Sequence, residues 1–178
     1  LINKTIPFVD LQLQYSLYRD DFEKAIQDVC CSGAFILGPE VQRFEKLFAN
    51  FLGVKYAIGV ASGTDALRLS CQALEIGPGD EVLIPANTFI ATALAVSEVG
   101  AKVIPVDVDT DSFLMDMELA QQKITPHTKA IIPVHLYGHP CDMEAINEIA
   151  KKHNLLVIED AAEAHGAEVN GVKVGGLG

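Results

Sequence analysis

The chain is poor in three features, and each shortage removes a class of function. Cysteine is scarce: Cys30, Cys31, Cys71 and Cys141 are the four in 178 residues, and no two stand in C-x-x-C spacing. That argues against a disulfide framework or a cysteine zinc module and suits a reducing cytoplasm. Long apolar runs are also missing. No stretch approaches the roughly 18 apolar residues that a bilayer-spanning helix needs, and residues 1–10 are too polar for a secretory leader. Basic residues are outnumbered, with 13 Lys and Arg against 24 Asp and Glu, for a net charge of -11. Such a surface repels nucleic-acid phosphates and anionic membranes, leaving small molecules or proteins as partners. No initiator Met opens the sequence, so its start is expected to lie upstream.

What is present is core-forming material. Hydrophobic residues make up 49% of the chain, which is incompatible with a disordered segment and sufficient for one domain. No internal repeat or low-complexity tract interrupts it. Gly38-Pro39-Glu40 predicts a helix start, with Val41, Phe44, Phe48 and Phe51 as one apolar stripe and Gly53 as its stop. Tyr56 to Val60 predicts a short strand. A helix follows Ser62-Gly63-Thr64-Asp65, with Ala66, Leu67, Ser70, Ala73 and Leu74 expected inward. Gly77-Pro78-Gly79-Asp80 is a turn before a strand from Glu81 to Ile84. Further helices are expected near 88–99, 117–124 and 142–153, and further strands at 102–106, 130–134 and 155–158. Short apolar strands alternating with helices predict an α/β fold with a mainly parallel sheet covered on both faces. Ligands of such sheets sit at the carboxyl ends of the strands.

Two segments at those ends carry chemistry. Ser62-Gly63-Thr64 lies between a predicted strand and a helix, where free backbone N–H groups and the helix dipole favour a phosphate. The alternative is a plain helix cap by Ser62 or Thr64. Val157-Ile158-Glu159-Asp160 puts a carboxylate at the end of a buried strand, on the expected rim of Ser62. An acid there can hold a proton on a ring nitrogen of a bound cofactor, cap the following loop, or ligate a metal.

These segments, in this order, resemble the fold-type-I (aspartate aminotransferase-like) pyridoxal-phosphate (PLP) enzymes, and within them the DegT/DnrJ/StrS family of nucleotide-sugar aminotransferases. The resemblance runs through Pro7-Phe8-Val9-Asp10-Leu11, Leu37-Gly38-Pro39-Glu40-Val41, Ser62-Gly63-Thr64-Asp65-Ala66-Leu67 and Gly77-Pro78-Gly79-Asp80-Glu81-Val82. It continues in Pro85-Ala86-Asn87-Thr88-Phe89, Pro133-Val134-His135-Leu136-Tyr137-Gly138 and Glu159-Asp160-Ala161-Ala162-Glu163-Ala164-His165-Gly166. It implies that Gly63 and Thr64, with Ser62, hold the PLP phosphate. It also implies that Phe89 stacks on the cofactor ring and Asp160 pairs with its nitrogen. Without the resemblance, Phe89 reads as a core residue of an amphipathic helix. Where the family usually has a Gln that meets the phenolic oxygen of PLP, this chain has Glu163. A carboxylate there repels a phenolate unless the two share a proton.

The family's Schiff-base lysine follows the segment around Asp160 on a later strand, and none of the lysines present stands at that place. Lys173 is nearest but falls beside an Asn170-Gly171 hairpin turn. No catalytic residue is therefore assigned within residues 1–178. The chain is expected to be the N-terminal part of the PLP-binding large domain, without the small C-terminal domain and without turnover of its own. For the whole protein, the resemblance implies transfer of an amino group from a donor such as glutamate to a nucleotide-linked keto-deoxysugar, by a cytoplasmic homodimer. The run Thr88-Phe89-Ile90-Ala91-Thr92 looks nearest to enzymes making 3-amino-3,6-dideoxyhexoses on dTDP. Phe35 and Ile36 are substrate-edge candidates by the same resemblance. The alternatives are a sugar 3-dehydratase relative with His for the lysine, a non-catalytic PLP-binding regulator, and an unrelated nucleotide-binding α/β domain.

Two metal patterns fail on their context. Asp107, Asp109 and Asp111, with Glu118 at the twelfth place, approach a calcium loop, but Ser112 stands where the sharp turn needs Gly. His135, His139 and Cys141 have zinc-like spacing, but Gly138 and Pro140 break any helix between them.

Overall fold

The predicted alternation appears as a four-stranded parallel sheet in the order β2-β1-β3-β4, built from Lys102–Val106, Glu81–Pro85, Thr128–Ile131 and Leu156–Val157 respectively. The structure, a computed structural model, describes residues 6–178. The chain divides into two compact units, one ending at Leu47 and the other running from Phe48 to Gly178.

The first unit holds α1 (Leu11–Leu17), α2 (Arg19–Ser32) and the start of α3 (Pro39–Leu52). Asp10 caps α1 by accepting from the N–H of Leu13 at 2.8 Å, and Gly33 ends α2 in the left-handed region at φ +66°. Neither α1 nor α2 contains a buried residue. Phe35 and Ile36 are exposed in the loop that follows.

In the second unit, β1 is buried at all five positions, as a central parallel strand must be. Its alternate side chains divide the core. Val82 and Ile84 face a layer with Leu67 and Cys71 of α4 (Gly63–Ala73) and Ala95 and Val96 of α5 (Ile90–Glu98). Leu83 faces the other layer, with Ala120 of α6 (Met117–Gln122) and Met143 and Ile146 of α7 (Met143–His153). A sheet with helices on both faces is the predicted fold class.

Several boundaries differ from the sequence expectation. Tyr56 to Val60 forms no strand. Tyr56 and Ile58 are 71% and 80% exposed, and no strand of the sheet pairs with this segment. β-propensity supplies an extended conformation, but a strand also needs a neighbour for its N–H and C=O groups. The inward face of α4 is carried by Leu67 and Cys71, whereas Ala66 and Ala73 are exposed. The helix expected from residue 88 starts at Ile90, with Phe89 as its N-cap in extended conformation. The hairpin near Lys173 is present: β5 (Glu168–Val169) pairs antiparallel with β6 (Val172–Lys173) across Asn170 and Gly171, both at positive φ.

The β3–β4 pairing continues past the named strands. Asp160 N–H donates to Pro133 O at 2.9 Å and His135 N–H to Asp160 O at 3.0 Å, with a parallel bridge between Val134 and Asp160. This backbone ladder fixes Asp160 at the carboxyl rim of the sheet.

Candidate functional site

A cavity of about 240 Å³ opens at that rim, lined among others by Gly63, Thr64, Phe89, Thr92, Asp160 and Glu163. Five of the six residues proposed from the sequence thus share one cavity. The sixth, Ser62, does not line it. Its Oγ accepts from Asp65 N–H at 3.1 Å, so Ser62 is the N-cap of α4. The capping reading of this turn falls to Ser62. Ser62 closes the Asp65 N–H through its side chain and the Ala66 N–H through its carbonyl at 2.9 Å. The N–H groups of Gly63 and Thr64, in the first turn of α4, have no intrahelical acceptor and sit at the positive end of the helix dipole. A Cβ built on Gly63 would meet nothing within 4 Å, so the space over these two amides is open.

Asp160 is 8% exposed. Its Oδ1 accepts from Ala162 N–H and its Oδ2 from the hydroxyl of Thr92, both at 3.2 Å. An ionised carboxylate offers about four lone-pair sites, so these two bonds orient it and leave capacity towards the cavity. Phe89 is 75% exposed, which removes the core reading; as an N-cap residue it lies outside the packed stripe of α5. Glu163 is exposed and accepts from the N–H of Tyr137 at 3.0 Å. Tyr137 sits in a 3-10 turn (Leu136–Gly138) with φ +53°, an unusual conformation for an aromatic residue, held in part by that bond.

The chain matches the model of the DegT/DnrJ/EryC1/StrS aminotransferase family over residues 17–178. It belongs to this family. Among similar proteins is a dTDP-3-amino-3,6-dideoxy-alpha-D-galactopyranose transaminase from Aneurinibacillus thermoaerophilus, 52% identical over 97% of this chain and 48% of the relative. Another is a UDP-N-acetyl-3-dehydro-alpha-D-glucosamine 3-aminotransferase from Acidithiobacillus ferrooxidans, 50% identical over 99% of this chain and 48% of the relative. The solved structure of DesV from S. venezuelae, in complex with a ketimine intermediate, superposes with a TM-score of 0.94. It is 48% identical and covers 96% of this chain and 46% of that one. The chain thus spans about half the length of the curated relatives it matches. The fold expectation, part of a fold-type-I PLP-enzyme sheet, is borne out.

Around the cavity of this DegT-family chain lies a second layer that sequence reading missed. The imidazole of His135, fully buried, places Nε2 2.8 Å from Glu159 Oε1, while its Nδ1 accepts from Cys141 N–H at 2.9 Å. The acceptor role of Nδ1 puts the proton of the neutral ring on Nε2, which donates to Glu159. That carboxylate also accepts from the N–H groups of Gly175, Leu177 and Gly178. Burial pushes the Glu159 carboxyl up, but the bonds from His135, Gly175 and Leu177 outweigh it and hold it below the ordinary glutamate value. The Cys141 thiol is pushed up to about 12 by burial and by the Glu159 charge, so it remains an S–H, donating to Val134 O at 3.2 Å. His135 and Cys141 are therefore committed to packing the rim. Spacing alone gave no sign of this, because the His135 ring meets Glu159, 24 residues later, and the Cys141 thiol meets the carbonyl of Val134.

The acidic loop is likewise occupied by local bonds: Asp109 Oδ1 accepts from the N–H groups of Asp111 and Ser112 and from the Ser112 hydroxyl. Among the described residues no helix is long and apolar enough to cross a membrane.

Proposed function

We propose that the whole protein is a PLP-dependent aminotransferase that moves an amino group from an amino acid such as glutamate to a keto carbon of a nucleotide-linked deoxysugar. The observation that carries this reading is the meeting, in one cavity, of the open Gly63–Thr64 start of α4 with the buried carboxylate of Asp160. The relatives' names give a dTDP-linked 3-amino-3,6-dideoxyhexose in one case and a UDP-linked 3-dehydro sugar aminated at carbon 3 in the other, which supports a nucleotide-linked 3-keto-hexose.

When bound, PLP with a protonated ring nitrogen supplies an electron sink for the carbon whose amino group is transferred. The residues present fit that group. The amides of Gly63 and Thr64, with the Thr64 hydroxyl, hold its phosphate. Asp160 holds a proton on the ring nitrogen, kept in place by Thr92 and Ala162. Phe89 would cover one face of its ring, and Glu163 would stand towards its phenolic oxygen. The negative charge of this surface is offset locally by the helix dipole at Gly63.

Gly63→Val tests the cradle. The Cβ of the new side chain would meet nothing within 4 Å, so the melting temperature should stay close to wild type. PLP binding to the whole protein should weaken about a hundredfold, the loss of two hydrogen bonds to a charged group. Titration of apoprotein with PLP by absorbance checks this, and undiminished affinity would sink the assignment. Glu163→Gln probes the departure from the family's usual residue. Its amide oxygen still accepts from Tyr137, while a like charge beside the phenolic oxygen disappears. PLP should bind about fivefold tighter above neutral pH, measured in the same titration; equal or weaker binding would remove Glu163 from the site.

A further inference from the structure

We infer that Thr92 is a positioning residue for Asp160: its hydroxyl, itself held by Thr88, fixes the carboxylate in the pose that faces the cavity. The inference rests on the PLP reading for its purpose, but its geometry stands on the fold alone.

Serine and threonine in helices usually return their proton to a carbonyl one turn back. Here Ser70 donates to Ala66 O at 2.8 Å and Ser97 to Ala93 O at 2.9 Å, in the ordinary way. Thr92, in α5 and 1% exposed, does not follow them. Its Oγ1 lies 3.2 Å from Asp160 Oδ2, across 68 residues of sequence, and 2.9 Å from Thr88 Oγ1. An ionised carboxylate can only accept, so the Thr92 proton goes to Asp160 and the Thr88 proton goes to Thr92. The result is a directed chain, Thr88 to Thr92 to Asp160, along the wall of the cavity that all three line.

Each link has a consequence. Oδ1 of Asp160 is already held by Ala162 N–H, so the Thr92 bond to Oδ2 is the second point that stops the carboxylate turning about its own axis. A carboxylate so held presents its remaining lone pairs in one fixed direction, which is what a planar ring N–H needs. Thr88 lies in the bend just before α5, and its hydroxyl reaches Thr92 in the first turn of that helix.

Near-isosteric substitution separates this role from simple packing. Thr92→Val keeps the volume and removes the hydroxyl; Thr92→Ser keeps the hydroxyl and removes a methyl. Crystal structures of the ligand-free variants should show the Asp160 carboxylate rotated in Thr92→Val and unmoved in Thr92→Ser. In the whole protein, PLP affinity should fall about tenfold in Thr92→Val and stay near wild type in Thr92→Ser. The visible absorption of bound PLP should shift in the valine variant only. An unmoved carboxylate in Thr92→Val, or equal loss of affinity in both variants, would overturn the inference. Should wild-type protein take up no PLP, the functional proposal fails, while the carboxylate pose still decides the role of Thr92.

Discussion

In the whole protein, Asp160→Asn should leave PLP bound yet slow the half-reaction with an amino donor by on the order of 10²–10³-fold. The substitution is nearly isosteric, and the backbone of Asp160, which carries the ladder to Pro133 and His135, is untouched. The amide oxygen still accepts from one of the two donors, Thr92 or Ala162. What disappears is the negative charge that favours a proton on the ring nitrogen, and with it the capacity of the ring to withdraw electrons. Because the proposed phosphate cradle lies on another element, α4, cofactor retention and reactivity should separate. Single-turnover absorbance with glutamate measures both. An unchanged rate would refute the role given to Asp160, and loss of the cofactor would make it a holding residue.

Glu159→Ala, at the neighbouring position, should act on stability, costing about 2–4 kcal/mol, chiefly through donors left unsatisfied. The side chain is 5% exposed and gathers the N–H groups of Gly175, Leu177 and Gly178 together with His135 Nε2. Truncation leaves the buried His135 Nε2 proton and the half-buried N–H groups of Gly175 and Leu177 without their acceptor, and each unsatisfied group adds to the loss. The residues released are those that follow the β5–β6 hairpin, where Asn147 also donates to Leu177 O at 2.7 Å. Denaturant unfolding of the whole protein checks the magnitude; a loss below about 1 kcal/mol would mean that the donors find other partners. The pH dependence has a defined sign. The folded carboxyl lies below the ordinary value of 4.5, so its contribution is complete above that value and is lost as pH falls through the folded one. Wild-type stability should therefore decline on acidification below pH 4.5, and this component of the decline should be absent in Glu159→Ala.

The two neighbouring acids show how unevenly sequence reports on role. Asp160 was legible because strand polarity tells which end of a buried apolar run faces ligands, and a carboxylate there is conspicuous. Glu159, one residue earlier, points to the opposite side of an extended chain, as the period of two requires. Its partners lie 24 residues before it and 16 to 19 after it, separations that carry no pattern. Thr92 was hidden for the same reason: a threonine on an apolar helix reads as packing until Asp160 is seen beside it. The strand expected at Tyr56–Val60 failed through the converse effect: local propensity was sufficient, but among the described residues no strand pairs with the segment.

The linear order of residues determined the alternation of helices and strands, the burial of β1, the helix start at Pro39, the turn at Asn170-Gly171 and the family. These are local or periodic properties, set by side-chain size, polarity and the backbone freedom of Gly and Pro. Only the tertiary structure decided which hydroxyl faces Asp160, that Ser62 caps while Gly63 and Thr64 stay open, and that His135 and Cys141 are structural. Those outcomes depend on distances between residues far apart in the chain, which packing of the two layers on the sheet creates and no spacing rule encodes.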